Sequence, residues 1–85
     1  MKITTWNINS VRLRLSSLAR LIAEISPDII CLQETKVRDE FFPIKDIGAL
    51  GYPYQAISGM KGYNGVAILS KWPLIKIKTK VWCKK

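Results

Sequence analysis

One stretch of the chain joins an apolar run to a polar end, and it constrains the fold more than any other. Asp28–Lys36 reads DIICLQETK and ends in an amide, a carboxylate, a hydroxyl and an ammonium group. The apolar run is typical of a strand buried on both faces. Open α/β folds place their ligands at the ends of such strands, so Glu34 is the first candidate for chemistry. The alternative is that Glu34 and Thr35 only open a solvated loop.

A strand and an amphipathic helix are predicted before this stretch. Residues 2–7 alternate β-branched or aromatic residues with polar ones, which predicts a strand ending at Asn7. Ser10 is a suitable N-cap for a helix of about four turns that ends at Pro27. The apolar stripe of that helix consists of Val11, Leu15, Leu18, Leu21, Ile22 and Ile25.

The order strand, helix, strand within about 33 residues has the size of a βαβ unit. The crossover makes the two strands parallel and is right-handed in nearly all known cases. Parallel strands end at the same edge of a sheet. If the two strands are neighbours, Asn7 and Glu34 therefore meet at one rim although they are far apart in sequence.

The rest of the chain predicts smaller elements. In order, these are a polar turn at 37–40, a short helix from Pro43 to about Leu50 stopped by Gly51, a strand at 52–58, a glycine-rich connection at 59–64, a buried strand at 66–69 and an alternating strand from Leu74. The strands at 52–58 and 66–69 are expected to form an antiparallel hairpin. The fold class is therefore α/β, a βαβ unit followed by a hairpin.

Composition narrows the class of protein. Eighty-five residues with 48% hydrophobic content make one small globular domain or part of a larger one. Two cysteines form neither a disulfide framework nor a zinc ligand set. No apolar stretch approaches about 18 residues and no signal peptide is recognisable, so we expect a cytoplasmic protein without a membrane span.

The positive charge is concentrated at one end of the chain. The net charge is +8, and residues 71–85 contain six lysines and no acidic residue. A basic protein tends to bind polyanions, most often nucleic acid. The alternative is that these lysines only keep an exposed strand soluble.

The predicted rim has the donor atoms for a hard cation. An amide oxygen from Asn7 and the carboxylate of Glu34 suit Mg²⁺, which fills its remaining positions with water and phosphate oxygens. Lys36 is placed to orient that carboxylate or to bind a phosphate, and Arg12 at the predicted helix start is placed to bind a phosphate. Tyr63, in the loop 62–65, offers a stacking face. The plainer alternatives are that Asn7 caps a turn, Arg12 is solvated and Tyr63 covers the core edge.

Three segments together resemble a known family. TTWNINSVR, PDIICLQETK and GYNGVAILSKWPL occur in the order and spacing of the N-terminal part of exodeoxyribonuclease III and the related AP endonucleases, over about residues 1–74. These proteins belong to the endonuclease/exonuclease/phosphatase superfamily. The second segment is the most specific. Lys36 and the YNGVA segment favour the DNA-repair branch over the sphingomyelinase and inositol-phosphatase branches.

The resemblance implies a four-layer α/β sandwich and hydrolysis of DNA phosphodiesters that depends on Mg²⁺ or Mn²⁺. By motif, Glu34 would be the catalytic metal ligand with Asn7 beside it in the site, and Lys36 would support the carboxylate. The residues expected near the DNA backbone are Arg12, Gly62, Tyr63 and Asn64. The expected partner is DNA, as an abasic duplex or a duplex with 3′ ends.

Two features depart from the family pattern. Ser10 stands where the family usually has glycine, and the chain is less than half as long as the family's domain. The sequence contains no histidine, so the family's catalytic histidine is absent. We therefore expect residues 1–85 to be an incomplete nuclease domain with little or no activity alone. The alternatives are a basic fragment that binds nucleic acid without sequence preference, an inert truncated product, or a fragment complemented by a separate second half.

Overall fold

The computed structural model describes residues 1–58 and 65–73, and these form a mixed α/β fold. The strands are β1 (Ile3–Asn7), β2 (Ile29–Gln33), β3 (Tyr54–Ser58) and β4 (Val66–Ser70). The helices are α1 (Leu15–Ile25) and α2 (Ile44–Ala49), with a single 3₁₀ turn at Asp39–Phe41 between β2 and α2. The predicted glycine-rich connection and the alternating strand from Leu74 lie outside the described residues.

The two strands of the predicted βαβ unit are parallel neighbours. The four strands lie in the order β1-β2-β4-β3, so β2 is an interior strand. Its register with β1 pairs Ile3 with Ile29 and Asn7 with Gln33. At the other end, the backbone N–H of Lys2 donates to Asp28 Oδ2 over 2.8 Å, and this hydrogen bond lowers the pKa of the Asp28 carboxyl. Because the parallel register sets Asn7 opposite Gln33, the prediction that Asn7 and Glu34 reach one rim is confirmed at the level of the backbone.

The predicted antiparallel hairpin is also confirmed. β3 and β4 pair from Tyr54 with Ser70 to Ser58 with Val66. β4 pairs antiparallel with β2 as well, and this register sets Val66 opposite Gln33. The start of β4 therefore lies next to the end of β2, at the same rim as the end of β1.

The sheet buries apolar side chains on both faces, as predicted for β2. On the helix side, Ile30 and Leu32 pack with Leu18 of α1 and with Leu69 of β4. On the other side, Ile29, Cys31 and Ile68 form a second buried cluster. Alternating side chains of one strand thus enter two different clusters, which explains the continuous apolar run in the sequence.

The start of α1 differs from the prediction. The helix begins at Leu15, and residues 11–14 form a turn ahead of it. Ser10 is not its N-cap, because Arg14 directly precedes the helix and the Ser10 Oγ accepts a hydrogen bond of 3.4 Å from Leu13 N within that turn. Ser10 has φ of 89°, and its backbone N–H donates to Glu34 O over 2.8 Å. The Ser10 side chain therefore accepts from the turn at 11–14 and not from α1, and its backbone lies outside the β region that N-cap residues normally adopt.

The end of α1 follows the prediction less closely than its centre. Leu18 is fully buried, but Ile25 of the predicted stripe is 39% exposed. Ser26 ends the helix in the left-handed conformation, with φ of 50°, and Pro27 follows. The last turn therefore extends past the edge of the core.

The other boundaries shift by one or two residues. Pro43 directly precedes α2, although it was predicted inside the helix, and Gly51 follows with φ of 104°, which favours glycine. β3 begins at Tyr54 and not at Tyr52, because Pro53 has no N–H for a ladder. Tyr52 is instead buried, and its hydroxyl donates to Pro27 O.

Among the residues that the structure describes, no helix has the length and apolar character needed to cross a membrane.

The packing of the core predicts that alanine substitutions at Leu18 and Leu13 lower the free energy of unfolding by different amounts. Leu18 is 0% exposed, whereas Leu13 is 78% exposed. Leu18→Ala should lower the free energy of unfolding by about 2–5 kcal/mol, since it leaves a cavity between α1 and the sheet. Leu13→Ala should change it by less than about 0.5 kcal/mol. Urea unfolding followed by circular dichroism measures both, and equal losses would contradict this packing.

Candidate active site at the rim of the sheet

The ends of β1 and β2 bring the first predicted pair into direct contact. Asn7 Nδ2 donates a hydrogen bond of 2.7 Å to Glu34 Oε2. The two residues are separated by 27 positions in the sequence, so only the parallel pairing of their strands can join them. The contact fixes the orientation of the Asn7 amide and leaves Oδ1, not the amino group, as its ligand atom.

Lys36 lies beside the same carboxylate but is held by a different residue. Its Nζ is 3.8 Å from Glu34 Oε1, and both side chains are more than one third exposed. Its shorter contact is a hydrogen bond of 2.6 Å donated to Asn9 Oδ1. The site therefore contains Asn9, which was not among the predicted site residues. The repetition of asparagine at positions 7 and 9 is a local signal, but it does not indicate the contact with Lys36.

Backbone hydrogen bonds continue the pairing of β1 and β2 past the ends of the strands. They are Ile8 N to Gln33 O at 3.0 Å, Ser10 N to Glu34 O at 2.8 Å, Val11 N to Thr35 O at 3.0 Å, and Thr35 N to Gly65 O at 3.0 Å. The last of these connects the loop after β2 to the residue before β4. The two loops that carry the polar side chains are consequently tied to each other and to the hairpin.

The same loops contain most of the unusual backbone conformations. Among the described residues, five residues other than glycine have positive φ, and four of them lie at this rim: Asn9 at 51°, Ser10 at 89°, Glu34 at 54° and Lys36 at 53°. Asparagine adopts this region readily, but glutamate and lysine do so at a cost. Strain of this kind is typically concentrated at functional sites.

Arg12 is exposed in the turn before α1. Because the helix begins three residues later, Arg12 does not stand at the helix N-terminus where it was predicted. Gly62, Tyr63 and Asn64 lie outside the described residues, and their role at the DNA backbone stays a prediction.

The donor atoms at the rim fit a hard divalent cation with few protein ligands. The carboxylate of Glu34 and the amide oxygen of Asn7 are oxygen donors, the type that Mg²⁺ prefers. Within residues 1–58 and 65–73, no group of three or more His, Cys, Asp or Glu side chains is placed to hold a metal. A cation here would take one carboxylate from these residues and fill most positions with water or phosphate oxygens, as Mg²⁺ commonly does.

The strained serine gives a test of the rim's backbone. Ser10→Gly should raise the free energy of unfolding by about 1 kcal/mol, since the relief of strain exceeds the added flexibility of the unfolded chain. Ser17→Gly is the matched control at an exposed position of α1 and should lower the free energy of unfolding by about 0.5–1 kcal/mol. Chemical denaturation measures both. Ser10→Gly also removes the 3.4 Å hydrogen bond from Leu13 N to Ser10 Oγ, so a loss of stability would show that the relief of strain is smaller than the loss of this bond and the added flexibility together.

Comparison with known proteins gives a consistent result. The profile of the Endonuclease/Exonuclease/phosphatase family matches residues 4–83. Exodeoxyribonuclease III from Haemophilus influenzae is 45% identical over 71 residues, which are 84% of this chain and 26% of that protein. An AP endonuclease structure from Archaeoglobus fulgidus has a TM-score of 0.78 at 48% identity, over 84% of this chain and 27% of that one.

A third relative was solved with nucleic acid. The 3′ phosphatase NExo from Neisseria, bound to a product DNA hairpin, has a TM-score of 0.78 at 46% identity, over 84% of this chain and 27% of that one. The chain thus spans about a quarter of the length of these relatives. Its mixed α/β sheet is a part of their fold, as expected from the resemblance. By sequence motif, by profile and by fold, the chain belongs to the endonuclease/exonuclease/phosphatase family.

Proposed function

We propose that this chain is the N-terminal part of a DNA-repair nuclease domain that hydrolyses DNA phosphodiesters with the help of a divalent cation. The observation that carries the proposal is the Asn7–Glu34 hydrogen bond at the shared end of β1 and β2, in a chain of this family. Its relatives include an exodeoxyribonuclease III and an AP endonuclease, and the resemblance to that family implies dependence on Mg²⁺ or Mn²⁺. The proposed substrate is duplex DNA with abasic sites or 3′ ends.

The proposed roles follow from the contacts at the rim. Glu34 supplies the carboxylate oxygen for the cation, Mg²⁺ or Mn²⁺, and Asn7 holds that carboxylate in place and adds an amide oxygen. Lys36 supports the carboxylate with its positive charge, and the exposed Arg12 contacts the DNA backbone. When bound, the cation would polarise a phosphodiester for attack by water.

The same residues lead us to propose that these 85 residues alone cleave DNA very slowly or not at all. The sequence has no histidine that could act as a general base. Among the described residues, only one carboxylate belongs to the rim cluster of Asn7, Asn9, Glu34 and Lys36. A positioned base and a stabiliser of the transition state each contribute orders of magnitude in rate. Residues 1–85 would accordingly act within a larger nuclease domain.

A chimera tests the proposed function directly. This chain would replace the matched quarter of Haemophilus influenzae exodeoxyribonuclease III, and cleavage of an abasic duplex would be measured with Mg²⁺ and with EDTA. We expect metal-dependent cleavage that Glu34→Ala lowers by at least ~100-fold, since loss of a metal ligand removes several kcal/mol of stabilisation. Glu24→Ala, which removes an exposed carboxylate from α1, is the matched control and should leave the rate unchanged.

A parallel assay of the 85-residue chain alone tests the second part of the proposal, that these residues do not cleave DNA without the rest of the nuclease domain. No cleavage by the chain alone, with an active chimera, supports both parts of the proposal. Cleavage by the chain that depends on Mg²⁺ and Glu34 would contradict the predicted inactivity but support the site. A chimera in which Glu34→Ala is as active as its parent would contradict the role of Glu34.

A basic fragment that binds DNA without cutting it is the second candidate function. It is favoured by the net charge of +8 and by four exposed cations in the two rim loops and the residues beside them, Arg12, Arg14, Lys36 and Arg38. We expect the affinity of the chain for duplex DNA to fall steeply with salt concentration. Arg12→Ala should reduce the slope of log affinity against log salt by about one. Lys2→Ala, at the opposite end of β1, should affect the slope less, and fluorescence anisotropy measures both.

A further inference from the structure

We propose that Asn9 is a positioning residue that holds the Lys36 ammonium next to Glu34 without letting it occupy the carboxylate oxygen needed by a divalent cation. The inference rests on the proposed function, because it concerns the same cation. It assigns a role to a side chain that the motif-based site did not contain, and it follows from three distances at the rim.

The three distances give each oxygen of the cluster a different partner. Glu34 Oε2 accepts from Asn7 at 2.7 Å, which leaves Oε1 as the oxygen that faces Lys36. Lys36 Nζ is 3.8 Å from Oε1, beyond hydrogen-bond distance, but 2.6 Å from Asn9 Oδ1. The ammonium is therefore bonded to a neutral amide although a carboxylate lies within reach.

The backbone conformation explains why the Asn9 side-chain amide accepts a hydrogen bond from the Lys36 ammonium. Asn9 and Lys36 both have left-handed φ angles, 51° and 53°, in the two loops that follow β1 and β2. The loops are joined next to these residues by the Ser10 N to Glu34 O hydrogen bond. Asparagine tolerates this conformation better than most residues and also supplies the acceptor. Asn9 therefore satisfies the turn and holds the lysine at the same time.

Removing that acceptor changes what the ammonium contacts. With the Asn9 amide oxygen gone, the flexible lysine is expected to move onto Glu34 Oε1, since opposite charges attract most strongly at contact distance. A direct ion pair would compete with a divalent cation for this oxygen. At its present distance, Lys36 supports the ionised carboxylate and leaves the oxygen accessible.

Binding of Mn²⁺ to the 85-residue chain tests this role. The loss of the free Mn²⁺ signal in electron paramagnetic resonance measures affinity without any catalytic step. Asn9→Gly removes the amide and suits the positive φ, and it should weaken Mn²⁺ binding about tenfold, the range seen when an outer-shell partner is lost. Adding Lys36→Met should restore the affinity at least to the wild-type value, because the competing cation is gone. Asn9→Asp, which keeps an acceptor, should not weaken binding.

The Mn²⁺ affinity of the Asn9→Gly, Lys36→Met double variant distinguishes a positioning role of Asn9 from a purely structural one. If Asn9 only shaped the loop, Lys36→Met would not restore binding, and this result would overturn the inference. Unchanged affinity in Asn9→Gly would overturn it as well. Glu34→Gln is the control for the metal site itself. If the wild-type chain does not bind Mn²⁺, or if Glu34→Gln binds it as tightly as the wild type, the metal site and the inference are both overturned. If Mn²⁺ affinity depends on Glu34 but is unchanged by the substitution of Asn9, only the inference is overturned.

A second readout needs no metal. The ¹⁵N–¹H signal of the Lys36 ammonium should be little affected by Glu34→Gln in the wild-type background, where the ammonium is bonded to Asn9. In the Asn9→Gly background, Glu34→Gln should shift that signal strongly, because the ammonium then contacts the carboxylate. Equal shifts in the two backgrounds would show that Asn9 does not control where Lys36 binds.

Discussion

The parallel pairing of β1 with β2 is the constraint on which the rest of this structure depends. It aligns Asn7 with Gln33 and so places Glu34, the next residue, within 2.7 Å of the Asn7 amide. A slip of one residue would turn every side chain of β2 to the opposite face. The register is held by the burial of β2 on both faces, so the hydrophobic clusters that stabilise the sheet also position the polar cluster.

The rim combines strained conformations with dense backbone hydrogen bonding. Ser10, Glu34 and Lys36 all adopt positive φ, and conformations of this kind cost on the order of 1 kcal/mol or more each. Three hydrogen bonds between the loops and one to Gly65 hold the segment in place. The buried strand beneath supplies the stability that such a segment requires. Loops free of these bonds would be expected to relax and to separate the Asn7 amide from the Glu34 carboxylate.

Sequence patterns predicted the parts of the fold that depend on burial. The unbroken apolar run of β2, the stripe of α1 and the crossover length led to the parallel pair and to the meeting of Asn7 with Glu34. The predicted start of α1 was wrong because residues 11–14 form a separate turn, and the residues at its start are bonded to the end of β2 through Ser10 N to Glu34 O and Val11 N to Thr35 O. No local pattern reveals these bonds, since Glu34 lies 24 positions from Ser10 in the sequence. Asn9 was missed for a similar reason, because its role depends on where Lys36 Nζ lies.

Placing a carboxylate and completing a reaction are separate problems in this fold. The first is solved locally. Two adjacent strand ends and the loops that follow them fix Asn7, Asn9, Glu34 and Lys36 through contacts among residues 7–36 and Gly65. The second requires further groups around the same cation, and the rim cluster offers a single carboxylate and no imidazole. On the proposed function, the rim would therefore position ligands for a cation, and the groups that complete hydrolysis of a phosphodiester would come from elsewhere in the nuclease domain. This separation is why cation binding is the more direct measure of whether the rim is correctly built.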